Sequence, residues 1–413
     1  MKILDMTIGK KYPPFSENLA IFGGSPLFDP PISTSNLYEP SLRRIKDYSA
    51  RFIDARQYTN NGPLTVELEN RLANFHKSKY CIAMANGFWA LVLSMKALAL
   101  PGRTEVIIPS LTYRRMSDAI AWAGLTPHFV DVNRESLAID VESILSGING
   151  ETALILAVHP IINTCEAGKI EYLARQLEIP ILFDSVESVY ESVDGRKVGS
   201  FGDAECFSLH ASKLINGFEG GYVTTNSTEL AERLKLSRAF GFAEQDEVVV
   251  FGTNAKLNEP HAAVALASFD ELEVQVQHNE RIFRTYLEQS VGICGIDVVR
   301  FKPNEPSSFK NILVEINEDF PVDRDLLVWI LNSEGILARP YYSPPLHLKT
   351  YSYKTIASNA PVSEWAQGRF VLLPSGYRVA VEDVVEIMEL IRTISHMSTY
   401  DLTLISERWG NRK

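Results

Sequence analysis

Lys213 lies between the apolar run ECFSLHAS and the glycine-rich run NGFEGGYVTT. A lysine hemmed in this way stands out, because burying an ammonium without a partner is costly. A surface loop would hold the same lysine at no cost, so the residue alone leaves both readings open. Asp184 closes the apolar run IPILFD, 29 residues earlier. A carboxylate there caps a helix, anchors a loop, or pairs with a protonated ring nitrogen. In pyridoxal chemistry that last pairing keeps the ring charged, so that it accepts electrons from the substrate. Asn86, Gly87, Phe88 and Trp89 open a helical run directly after KYCIAMA. Glycine permits close approach, and the free N–H groups of a first helical turn bind anions such as phosphate. Ser208, five residues before Lys213, is placed to add a hydroxyl, although strand serines also satisfy backbone groups. Tyr113, in IIPSLTYRRM, offers a ring that either stacks on a ligand or packs.

These residues need elements that bring them to one edge. From Leu64 the chain becomes regular: LTVELENRLANFHK puts Leu64, Leu68, Leu72 and Phe75 on one helical face. KYCIAMA, EVIIPS, PHFVDV, ALILAVH and IPILFD read as buried strands. MSDAIAWAG, SLAIDVESILSGI and GKIEYLARQLE between them have helical spacing. Such alternation predicts an α/β fold, a mainly parallel sheet sandwiched by helices. Open parallel sheets bind ligands at the carboxyl ends of their strands, where the residues above fall. The expected organisation is an irregular N-terminal arm (1–58), a large domain (59–265), and a connecting helix with a smaller C-terminal α+β domain (266–413). The stretch from Ala262 to Gln289 reads as that long helix, and Val381–Ser395 as a final one.

Bulk properties exclude several classes. A formal net charge of -11 over 413 residues argues against a nucleic-acid partner. Arg43, Arg44 and Lys46 read as a solvated helix face, and Arg114 and Arg115 form a second local pair. Cys81, Cys165, Cys206 and Cys294 are scattered among apolar residues without CxxC spacing, which predicts buried thiols and no metal site. Residues 81–100 are long enough to span a bilayer, but Asn86, Gly87 and Lys96 interrupt them. A short strand, a turn and a buried helix fit better. Met1–Phe15 lacks the apolar core of a signal peptide. The expectation is a soluble, cytoplasmic chain with no membrane partner.

In this order the motifs resemble the DegT/StrS-type sugar aminotransferases of aspartate-aminotransferase fold. The strongest segment is GDAECFSLHASKLINGFEGGYVTTN, with serine five before the lysine and EGG six after. TNNGPLTVELE, ANGFWAL, EVIIPSLTY, FVDV, FGTNAKLNEPHAAVAL and ILARPYYSPPLH match further blocks. The resemblance implies pyridoxal 5'-phosphate as cofactor, with Lys213 as the Schiff-base lysine, Asp184 on the ring nitrogen and Tyr113 stacked on the ring. It implies that Asn86, Gly87, Phe88 and Ser208 hold the phosphate. Asn254 would reach the phosphate of a neighbouring subunit, which implies a homodimer with shared sites. Tyr341 and His347 lie where the family contacts its sugar nucleotide.

Two positions depart from the pattern. Glu187 stands where the family has Gln or His beside the cofactor's phenolic oxygen. An ionised glutamate would repel that oxygen, so it must be protonated, turned away or paired with a cation. Phe88 and Trp89 are bulky where small residues are common. The resemblance implies transfer of an amino group from glutamate or glutamine to a keto-sugar, above all a nucleotide-linked 4-keto-6-deoxyhexose. An aminocyclitol or 3-keto-sugar, and a binding or regulatory protein without transaminase activity, are the rivals. Relatives that dehydrate deoxysugars carry histidine in place of Lys213.

Overall fold

The computed structural model describes residues 19–244 and 247–410, so Met1–Phe15 lies outside the described residues. The apolar runs between Tyr80 and Thr225 become strands: β1 (Tyr80–Met84), β2 (Glu105–Pro109), β3 (Thr126–Val130), β4 (Thr152–Val158), β5 (Ile181–Asp184), β6 (Ala204–Ser208) and β7 (Gly221–Thr225). With β8 (Ile356–Ala357) they make one sheet in the order β8-β3-β2-β4-β5-β6-β7-β1. Only β7 runs against its neighbours, β1 and β6; the other pairs are parallel.

Successive side chains leave opposite faces of a strand, and here both faces are covered. On β4, Ile155 and Ala157 join one core, while Leu154, Leu156 and Val158 join the other. Helix Pro63–His76 seals the first face with Leu64, Leu68 and Leu72, all fully buried. Helix Gly87–Leu98 seals the second with Ala90, Val92 and Met95. The run at 81–100 is therefore a strand, a turn and a helix. Among the described residues, no helix is long and apolar enough to cross a membrane.

The stretch from Ala262 to Gln289 is two helices, Glu259–Asp270 and Leu272–Ser290, rather than one. At the break the Glu271 carboxylate accepts bonds from Tyr38 Oη at 2.6 Å and Ser41 N at 3.1 Å. Beyond it a four-stranded antiparallel sheet, ordered Ile296–Val298, Ile312–Ile316, Phe370–Leu373, Arg339–Pro340, packs with helices Arg324–Ser333 and Val381–Ser395. A further helix, Thr399–Gly410, follows.

The arm is not irregular throughout, because residues 42–54 form a helix. Its Arg44 pairs with Asp270 at 3.1 Å and Glu271 at 3.0 Å, while Arg43 stays in solvent. Upstream, Ile32–Ser33 adds in parallel to Ile336–Leu337, and Glu334 accepts from Ala20 N at 2.6 Å and Leu27 N at 3.1 Å. Three cysteines are buried, but Cys294 is exposed. It sits in the turn between helix Leu272–Ser290 and strand Ile296–Val298, and apolar neighbours in sequence do not bury a turn residue.

Inside β6, Glu205 is fully buried. Its Oε1 accepts from Gly199 N at 2.7 Å and Phe201 N at 2.6 Å, and its Oε2 from Ser185 Oγ at 2.5 Å. Burial outweighs these bonds and raises its pKa from 4.5 to about 7. An acid raised on folding stabilises fully below its unfolded value and loses that contribution as pH rises through the folded one. Glu205→Gln keeps the acceptor for both amides and cannot ionise. Its stability relative to wild type should therefore rise between about pH 4.5 and pH 7, by roughly 3 kcal/mol in total. Denaturant melts at pH 5 and pH 8 check this, and a difference independent of pH would refute it.

Candidate active site

At the carboxyl ends of β4, β5 and β6, the loops carry the polar residues that the sheet gathers. Asp184 ends β5 and is 6% exposed. Its Oδ1 accepts Val186 N at 3.2 Å. Burial, aided by Glu187, raises its pKa to about 6; the Val186 amide and Lys213 act in the opposite sense. The carboxylate is thus held in a dry place, poorly supplied with donors, where a cationic N–H would be its natural partner.

Lys213 hangs in the loop between β6 and β7, which is tied across by Leu209 N to Gly220 O and Ala211 N to Phe218 O, both at 2.8 Å. Asn216 anchors the same loop to Tyr38 O at 3.2 Å. Lys213 Nζ donates to Glu187 Oε1. The second oxygen of Glu187 accepts from Lys310 Nζ at 2.7 Å and Asn311 Nδ2 at 3.3 Å. Burial would raise the Glu187 pKa, but the two lysines outweigh it and hold the group well below the carboxylate range. Of the three expected states of Glu187, the structure has the cation-paired one.

The turn at Asn86–Gly87 meets Ser208 and Gly221 at one end of the sheet. Asn86 Oδ1 caps helix Gly87–Leu98 by accepting Trp89 N at 2.9 Å. A Cβ on Gly221 would come within 2.4 Å of Gly87 N, and one on Gly87 within 3.0 Å of Ser208 Cβ. Position 221 therefore needs glycine for the turn to lie this close, and Gly87 sits tightly against Ser208. The rings of Phe88 and Trp89 pack edge to face, and Trp89 continues onto Trp122. Asn254 is exposed beside this turn: the next residue, Ala255, accepts Ala85 N at 2.7 Å.

Tyr113 is half exposed beyond β2. Tyr341 is buried with its hydroxyl unpartnered, and its ring lies 4.3 Å from that of Tyr342. Burial pushes the Tyr342 hydroxyl well above its usual range, and Tyr341, Glu187, Asp184 and Tyr113 push the same way. Tyr342 thus lies within electrostatic reach of Glu187 and Asp184. His347 Nδ1 meets Ser110 Oγ at 2.5 Å and its Nε2 meets Glu364 at 3.1 Å, which fastens residues 346–348 to the end of β2. Lys310, Asn311 and Tyr342 are the members that sequence reasoning missed. Tyr342, adjacent to Tyr341 in ILARPYYSPPLH, had a signal; the other two had none.

The sequence pattern of the DegT/DnrJ/EryC1/StrS aminotransferase family matches residues 43–392. The chain belongs to that family. Its relatives include the dTDP-4-amino-4,6-dideoxy-D-glucose transaminase of Shigella dysenteriae, 29% identical over 76% of this chain and 85% of the relative. The GDP-perosamine synthase of Vibrio cholerae is 28% identical over 86% and 98% of the two chains. The crystal structure of DesI, solved in the presence of its TDP-sugar product, superposes with a TM-score of 0.88 at 31% identity, covering 96% of this chain and 100% of DesI. This chain shares its mainly parallel sheet with DesI, and the cluster around Lys213 lies at the carboxyl ends of those strands.

Proposed function

We propose that this chain is a pyridoxal-phosphate-dependent aminotransferase that moves an amino group from glutamate or glutamine to a nucleotide-linked keto-sugar, a 4-keto-6-deoxyhexose. The observation that carries this reading is that Lys213, held on Glu187 in the loop after β6, lies near enough to the dry carboxylate of Asp184 at the end of β5 to act on its charge. The relatives named above act on dTDP- and GDP-linked amino sugars by their names, which supports the sugar class.

The residues fit the cofactor. Asp184, buried at the end of β5 with the Val186 amide on Oδ1, would accept from a protonated ring nitrogen. The close-packed glycines at 87 and 221, with Ser208 and the first turn of helix Gly87–Leu98, form a cradle for phosphate. Phe88 lies within that first turn, where its backbone amide serves as well as any other. Tyr113 would lie against the ring and Tyr341 at the substrate side. The exposed Asn254 would serve a neighbouring copy, which makes the working unit a homodimer. When bound, the cofactor supplies the electron sink and carries the nitrogen between donor and acceptor.

The chain's own residues do the rest. Lys213 would bond the cofactor and would hold and return the proton at the substrate carbon. Asp184 would pair with the ring nitrogen and keep it charged. Glu187 steadies the lysine, and Lys213 and Lys310 balance its charge.

The test is a visible spectrum of the purified protein with pyridoxal phosphate. A lysine-dependent band should form, and L-glutamate or L-glutamine should bleach it. A keto-sugar nucleotide should then restore it. Absence of the band would overturn the cofactor reading; a band that ignores both donors would overturn the proposed reaction.

A further inference from the structure

Lys310 precedes strand Ile312–Ile316 of the C-terminal sheet and is 7% exposed, yet it reaches the large sheet's edge. Its Nζ donates to Glu187 Oε2 at 2.7 Å. Its main chain is pinned, because Ser375 Oγ donates to Lys310 O at 2.7 Å. Asn311 bonds both Glu187 Oε2 and Ile161 O at 3.3 Å. A buried ammonium persists only when paired. Here burial lowers the Lys310 pKa and Glu187 pulls it back up. The charged or titratable groups facing this pair are Lys213, Asp184, Glu191, Tyr341 and Tyr342.

Glu187 therefore has two oxygens with two duties. One meets Lys213; the other is taken by a cation from a different part of the chain. We propose that Lys310 is a positioning residue of the active site: it fixes Glu187 with one oxygen toward Lys213 and makes the Glu187–Lys310 pair electrically neutral, so that the pair stands in for a neutral side chain beside the cofactor's phenolic oxygen. This rests on the cofactor reading above. The pair also joins the C-terminal unit to the sheet edge that carries Lys213, so its charge balance depends on the packing of the two units.

The test compares wild type with Lys310→Met, Glu187→Gln and the double variant. In the cofactor-free protein, Glu187→Gln strands two ammonium groups and should lower the melting temperature more than the double variant does. In protein loaded with pyridoxal phosphate, the pH midpoint of the visible band should move in opposite directions. Lys310→Met leaves a net negative charge that favours the protonated form, raising the midpoint by about one unit. Glu187→Gln leaves a net positive charge and lowers it by about as much, and the double variant should return near wild type. Shifts in the same direction, or a double variant that behaves as the sum of two losses, would overturn the proposal. If wild type forms no band, the cofactor reading fails by itself. The melting cycle then decides the clamp, and additive losses there reject it.

Discussion

Lys213→Ala is expected to remove the visible band and to lower transamination at least ~10³-fold, because one amine has two tasks. In the proposed mechanism it bonds the cofactor and moves the proton that converts donor and acceptor. Neither task passes to a neighbour. Lys310, the nearest other amine named here, is 7% exposed and committed to Glu187 and the C-terminal unit. Folding should survive the change. The loop keeps its backbone ties at Leu209 and Ala211 and the side-chain anchor of Asn216, and Glu187 keeps Lys310 as its counter-charge. Lys213→Arg separates charge from chemistry. A guanidinium can still pair with Glu187 but is not a nucleophile at neutral pH, so the arginine variant should melt close to wild type and remain inactive. Steady-state rates beside melting curves make the comparison. Turnover of Lys213→Ala within about tenfold of wild type would sink the assignment of Lys213 as both anchor and proton carrier.

How much of this was readable from sequence follows from what each pattern encodes. Leu64, Leu68 and Leu72 repeat at helical spacing because one face of Pro63–His76 is dry, and that face is buried. The runs that became β2, β4 and β5 are apolar on both faces because helices cover both. The position of Asp184 and Lys213 at one edge of the sheet was legible because polar residues after such runs fall at the carboxyl ends of the strands. Periodicity names a buried face but not what it meets. Glu187 and Lys310 are 123 residues apart, and no local pattern links a carboxylate near β5 to an amine of the second sheet. Glu187 alone posed a question of charge, and its answer lay in tertiary structure. The helix break at Glu271 escaped notice for the same reason. Helix-forming residues run through it, while the groups bonded to its carboxylate, Tyr38, Ser41 and Arg44, come from the arm.

Glu259 illustrates the same long-range dependence in stability, with the largest effect expected there. The first amides of a helix have no intrahelical acceptor. In helix Pro63–His76 they are buried, and Gly62 at the cap has no side chain to offer them. Glu259, fully buried and almost two hundred residues away, takes that role. Its Oε2 accepts Leu64 N at 2.7 Å, and its Oε1 accepts Thr65 N at 2.9 Å and Thr65 Oγ1 at 2.6 Å. Gly62 is required for the approach, since a Cβ there would lie 2.6 Å from Glu259 Cδ. Glu259→Ala leaves two buried N–H groups without acceptors and a void beside them. A loss of roughly 3–5 kcal/mol is expected from the two unmet donors. Glu259→Gln should lose less, because one oxygen still accepts while its amide nitrogen opposes a donor. Thr65→Val removes only the hydroxyl bond and should cost about 1 kcal/mol. Denaturant unfolding of the three variants gives the ranking Ala, Gln, then Val at position 65. A Glu259→Ala loss below about 1 kcal/mol would mean that water, not Glu259, satisfies this helix end.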